Sequence, residues 1–168
     1  MSDSSPTLLD PAAVDALKAT LGGMLTRNHR IVLQLTAGLS EEAAREPLVA
    51  DGSSARWLVG HLAGYRDVML ETLGGERLQG PALDEAFGYG SKPEGEPEAT
   101  LAELIAAYTA AEAPLNAALE AASAEDLARP SGKTTVRQRF EFLLWHEAYH
   151  LGQLMLYRRA AGLDNPIG

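Results

Sequence analysis

The sequence predicts an all-α chain, and three observations carry that prediction. Apolar residues make up 46% of its 168 positions and recur at spacings of three and four. The alternation at period two that marks strands is nearly absent. A hydroxyl or aspartate side chain precedes each periodic stretch, where the free N–H groups of a first helical turn need acceptors. Four long helices emerge, joined by short capped turns. A chain of this length is expected to form a single domain over 1–168, with 1–9 flexible ahead of the first cap.

The first helix opens at Asp10-Pro11, a cap followed by proline in the first turn, and carries Val14, Leu17, Leu21, Met24, Ile31 and Leu35 on one face. Gly22-Gly23 is expected to weaken or bend it. Asn28 falls on that face and either satisfies a helix neighbour, the favoured reading, or lines a pocket, whereas His29 lies off its centre and is expected at the surface or rim. Leu39-Ser40-Glu41-Glu42-Ala43 reads as a short capped turn. Ser53-Ser54 opens the second helix, which runs to Gly74-Gly75 with Trp57, Leu58, His61, Tyr65, Val68 and Thr72 facing inward.

From Gly74 to Ala99 glycine, proline and acidic residues predict a long loop anchored by Phe87 and Tyr89, either a spacer or a cover for a site. Thr100 caps a third helix through Leu101, Leu104, Ile105, Tyr108, Leu115 and Leu119, with a kink expected at Pro114. Ser123-Ala124-Glu125-Asp126 is a second short capped turn. The fourth helix runs from about Thr135 to Ala161 and stops at Gly162. Its inward stripe is Arg139, Phe142, Leu143, His146, His150, Gln153, Leu154 and Tyr157. Ser53-Ser54-Ala55-Arg56 and Thr134-Thr135-Val136-Arg137 echo one another, which is read either as a shared entry into both histidine-bearing helices or, at least as readily, as chance similarity between two amphipathic helix pairs.

Composition narrows the function classes. No stretch reaches the roughly 18 uninterrupted apolar residues of a membrane span, and Met1-Ser2-Asp3-Ser4-Ser5 lacks a cationic leader start, so a soluble, cytoplasmic protein is expected. A formal charge of −9, with 14 Lys+Arg against 23 Asp+Glu, opposes nucleic acid as a partner, because phosphate contacts need a basic face. The absence of cysteine removes disulfides, thiolate metal sites and a cysteine nucleophile together, leaving histidine and carboxylate as the available metal ligands.

His146 and His150 stand four residues apart, separated by about 40° of rotation and one turn of rise, so their imidazoles can converge on one ion. Two neutral rings on an apolar face present donors and acceptors that need partners, and a shared ion satisfies two acceptors at once. His61, in the second apolar helix, supplies a third nitrogen. His146-Glu147-Ala148-Tyr149-His150 also spells the H-E-x-x-H pattern of zinc peptidases. That reading is declined. The eighteen residues after His150 hold no histidine and no glutamate, Asp164 is a poor substitute, and no edge strand is predicted to bind a peptide. Glu147, about 100° round the helix from His146, is left to pair with a charge, orient a ligand or stand in solvent.

Trp57-Leu58-Val59-Gly60-His61-Leu62-Ala63, followed by His146-Glu147-Ala148-Tyr149-His150-Leu151-Gly152-Gln153-Leu154, resembles the DinB/YfiT-like superfamily. The resemblance implies a four-helix bundle with short extra helical turns and a long loop between helices two and three. It implies one divalent metal ion on His61, His146 and His150, with positions open to water or substrate. Zinc or nickel suits such ligands best, and iron, manganese or copper is also compatible.

Members include transferases and isomerases that use low-molecular-weight thiols such as bacillithiol or mycothiol, and many are homodimers. The expected function is therefore a thiol-cofactor-dependent S-transferase or related activity, with a small thiol and an electrophile as partners. Because the chain has no cysteine, the sulfur would come from the small molecule. Gln153 and Tyr157, on the ligand stripe, are candidate pocket residues. Many members carry a second histidine where this chain has Tyr149, which leaves the three-ligand pattern intact. A non-catalytic metal-binding or stress-interaction protein and a metal-dependent hydrolase are the alternatives.

Overall fold

The structure, a computed structural model, describes residues 9–91 and 99–167. The flexibility expected of 1–9 therefore concerns a segment that, apart from Leu9, lies outside the described residues. The described residues form eight helices and one two-strand bridge: α1 Pro11–Thr36, α2 Glu41–Arg45, α3 Ala55–Thr72, α4 Pro81–Phe87, α5 Leu101–Ala110, α6 Glu112–Ala121, α7 Ala124–Ala128, β1 Pro130–Ser131, β2 Thr134–Thr135 and α8 Val136–Ala160. The described residues are all-α apart from that bridge, as the periodicity predicts. None of these helices is long and apolar enough to cross a membrane.

The caps act as the sequence implies. Asp10 accepts from the N–H of Ala13, Ser40 from Ala43, and Thr100 and Ser123 complete reciprocal boxes with Glu103 and Asp126. The two histidine helices are entered alike, Ser54 accepting from the N–H of Trp57 and Thr135 from that of Gln138. Each such acceptor satisfies an amide that the helix cannot, worth about 1 kcal/mol. α1 runs unbroken through Gly22-Gly23.

Helix α3 packs against α5 and α8, and α1 packs against α8 and α6. Val32, Leu35, Leu62, Leu104, Leu151 and Leu154 fill one part of the core. Leu21, Leu25, Met69, Leu115, Phe140 and Leu144 fill another.

Three expectations need correction, while the disruption expected of Pro114 divides the third helix at Ala111. A proline ring collides with the carbonyl four residues earlier, here Ala110, so the break falls one turn upstream. The loop after α3 contains α4, which starts on Gly80-Pro81 and is approached through Asp67, a buried carboxylate accepting from the N–H groups of Leu78 (3.1 Å) and Gln79 (2.7 Å). Phe87 is an anchor, but Tyr89 is 95% exposed and anchors nothing.

The inward faces of α1 and α8 are also rotated from the expected stripes. In α1, Leu25, Asn28, His29 and Val32 are buried while Met24 is 36% exposed; in α8, Phe140, Leu144, Glu147 and Leu151 are buried while Phe142 is 55% exposed. His146 and Gln153 therefore stand at the edge of the buried face, and its centre passes through Glu147.

Candidate metal centre

Three imidazoles meet between α3 and α8. His61 is buried on the inward face of α3, one residue after Gly60. A Cβ at Gly60 would lie 2.6–2.7 Å from three ring carbons of Phe87, so only glycine lets α4 come this close. That approach puts the Phe87 carbonyl 2.6 Å from His61 Nδ1, and the contact requires Nδ1–H to donate. Nε2 then carries the lone pair. On α8, His150 Nδ1 donates in the same way to Gln153 Oε1 at 2.5 Å, which leaves its Nε2 as a second acceptor.

Both lone pairs are turned to His146 Nε2, which is 3.4 Å from His61 Nε2 and 3.0 Å from His150 Nε2. One N–H on His146 could serve only one of them, and His146 Nδ1 is itself buried without a hydrogen-bond partner. Neutral imidazoles therefore cannot satisfy this cluster among themselves. The three ligand atoms all lie within 4.8 Å of one another. Nitrogens about 2.1 Å from a tetrahedral ion stand about 3.4 Å apart, so the spacing and the donor set both fit a divalent metal, and these residues could hold one.

Burial sets the charge state. Desolvation lowers the pKa of His61 to about 4, against the opposing pull of the Phe87 carbonyl. Desolvation and then the other two rings bring His146 to about 4, and desolvation lowers His150 as well. The rings are neutral at pH 7, the form that ligates. Trp57 stacks on His61 (4.6 Å between centroids) and donates from its indole N–H to Ser91 Oγ at 2.9 Å, while Tyr65 stacks on His146 at 4.2 Å.

Glu147 faces away from this point into a buried network. Its Oε1 accepts from Arg66 Nε at 2.9 Å and from the Tyr108 hydroxyl at 2.7 Å, and its Oε2 from Asn28 Nδ2 at 3.0 Å. Arg66, fully buried, lies over the Tyr108 ring and reaches His29 Nδ1 at 3.1 Å; His29 Nε2 in turn pairs with Glu112 at 2.9 Å. His29 is thus a core residue, contrary to the surface or rim place expected of it. Asn28 has the structural partner anticipated. Buried on the far side of the helix from the imidazoles and paired with Arg66, Glu147 is not placed to act as the base of a peptidase.

A cavity of about 580 Å³ opens beside the cluster, walled by His61 and Tyr65 of α3, Phe87 of α4, the residues around β1 and β2, and Phe142 and Leu143 of α8. Gln153 and Tyr157 are not among its walls. Gln153 sits on the outer nitrogen of His150, and the Tyr157 hydroxyl donates to the Ser53 carbonyl and accepts from the N–H of Leu48. Sequence reasoning did not find Arg66, Tyr108 or the Phe87 carbonyl. Arg66 could have been flagged, as a charge in the apolar run Trp57–Leu70.

Fold and site together define a helical protein with a buried cluster of three imidazoles at the edge of a small-molecule cavity. The chain belongs to the DinB superfamily, whose family model matches residues 24–154, a span that includes all three histidines. No protein of curated function matches it.

Proposed function

We propose that the chain holds one divalent metal ion on His61, His146 and His150 and works as a thiol-dependent S-transferase, joining a low-molecular-weight thiol such as bacillithiol or mycothiol to an electrophile. The observation that carries this reading is the pair of Nε2 lone pairs, on His61 and His150, turned to the same third ring, whose one N–H could serve only one of them. When bound, an ion held by three neutral ligands keeps its full positive charge and lowers the pKa of a thiol or water beside it. Zinc or nickel fits the donors best, with iron, manganese and copper next.

The chain's own residues supply the rest. The Phe87 carbonyl and the Gln153 amide fix the ring orientations, as outer partners of metal-bound histidines do. The rings of Trp57 and Tyr65 cover the cluster and keep water from it. The adjoining cavity receives the small molecule, which supports an enzyme over a purely structural site. We read Gln153 and Tyr157 as positioning residues, Gln153 through His150 and Tyr157 through the chain around Ser53. The same reading takes α1, α3, α5 with α6, and α8 as the arms of a four-helix bundle that acts as one cytoplasmic domain. It pairs two copies through the exposed apolar row Phe142, Trp145, Tyr149 and Leu156 of α8.

Elemental analysis of untagged protein is expected to give one divalent ion per chain, lost in His150→Ala. Metal-loaded protein incubated with a thiol panel and monochlorobimane is expected to form thioether faster than background. Protein that takes up no metal even when supplied with it refutes the reading. Metal without any rate, together with a melting temperature that chelation lowers and no small molecule raises, replaces the enzyme by a structural metal site.

A further inference from the structure

We infer that the cavity beside the histidines takes a ligand with an apolar body and a carboxylate, the carboxylate being held by Arg139 and Lys133. The inference depends on the metal reading only for the reacting end of the ligand; its charged end rests on separate residues. The cavity, at about 580 Å³, is of small-molecule size, and Val68, Leu83, Phe87, Phe142 and Leu143 make its walls largely apolar.

Three charged side chains line it: Asp84, Lys133 and Arg139. Asp84 is already paired with Arg77, which also holds Glu71. Among the described residues neither Lys133 nor Arg139 has an ion pair. In a chain of net charge −9, the described residues leave this cavity with two cations outside any ion pair. The first turn of α8, from which Arg139 projects, carries no acidic side chain, so the helix dipole adds to the positive end.

The placement also sets the length of the ligand. Arg139 precedes His146 by seven residues, two turns on one face of α8, about 10 Å along the axis. Tyr65, whose ring lies against His146 and His61, lines the same cavity as Arg139. A molecule with its reacting group at His61, the imidazole that lines the cavity, and its carboxylate at Arg139 spans it. The guanidinium fork matches a carboxylate in two parallel hydrogen bonds, with Lys133 as a second, point charge.

The test compares 4-phenylbutanoate with its uncharged amide by calorimetry on zinc-loaded protein. Wild type is expected to bind the acid at least about tenfold more tightly, the scale of a charge-assisted hydrogen bond. Arg139→Gln should reduce that preference to under about threefold, Arg139→Lys should keep part of it, and Lys133→Gln should lose part. Arg139 and Lys133 are exposed, and unchanged circular dichroism and melting will show that these variants fold. Acid and amide binding alike, or a preference that survives Arg139→Gln but is lost in His150→Ala, overturns the inference, the second result placing the carboxylate at the imidazoles. A preference that depends on Arg139 in protein that binds no metal sinks the metal reading and leaves this one standing.

Discussion

Glu147→Ala decides whether the neighbour of His146 is a base or a buried counter-charge. Glu147 and Arg66 form an ion pair at 2.9 Å with side chains 2% and 0% exposed, and the Tyr108 hydroxyl and the Asn28 amide donate to the same carboxylate. Truncating it strands a guanidinium in the core, which costs about 3–5 kcal/mol. For a chain of this size each kcal/mol moves the melting temperature by about 2–4 °C, so a fall of roughly 6–20 °C is expected. The assay is thermal and urea unfolding of metal-free protein, where bound metal adds nothing. Glu147→Gln, which keeps an acceptor but not the charge, should fall between, and Arg66→Met with Glu147→Leu should recover most of the loss because no lone charge remains. Glu147→Ala melting within about 2 °C of wild type would refute the assignment.

Gly60→Ala drives a Cβ into the Phe87 ring, so it should cost about 1–3 kcal/mol of stability. By shifting the carbonyl that holds His61, it should also weaken metal binding about 10–100-fold; calorimetry showing wild-type affinity would contradict the geometry. Gln153→Ala removes the acceptor on His150 Nδ1 and is expected to weaken metal binding about tenfold or more while leaving the melting of metal-free protein unchanged. In metal-free protein the ring protons of His61 and His146 should titrate near pH 4 by NMR. Their folded pKa values lie below the ordinary 6.5, so unfolded chains take up protons first. Stability is full above pH 6.5 and falls as the pH drops toward 4, by up to about 3 kcal/mol for buried His61; midpoints near 6.5 would contradict this. Trp145→Glu should convert the proposed dimer to monomer in light scattering, and an unchanged mass would contradict the proposed interface.

Six of the eight described helix starts were legible because each depends on one hydroxyl or carboxylate three residues before the amide it serves, a relation contained in the local sequence. The histidine cluster was legible for a related reason: i, i+4 spacing fixes two of the rings on one face, and only His61 had to arrive from another helix. Helix α4 was not, since seven residues flanked by glycines and proline give too few turns for a periodic pattern. The rotation of the α8 face was missed because Glu147 looked like a solvent residue. Its burial depends on Arg66, Tyr108 and Asn28, which lie 81, 39 and 119 positions away, beyond any local pattern. His29 was misplaced for the same reason, its partners Arg66 and Glu112 lying on other helices.

Phe87 belongs to two structures at once. Its ring is part of the cavity wall, and its main-chain oxygen grips the outer nitrogen of His61. A guest that presses on the ring is therefore expected to shift the peptide that steers the imidazole, tying the filling of the chamber to the orientation of that nitrogen. No helix lies between the two, and a seven-residue segment outside the main framework does the coupling.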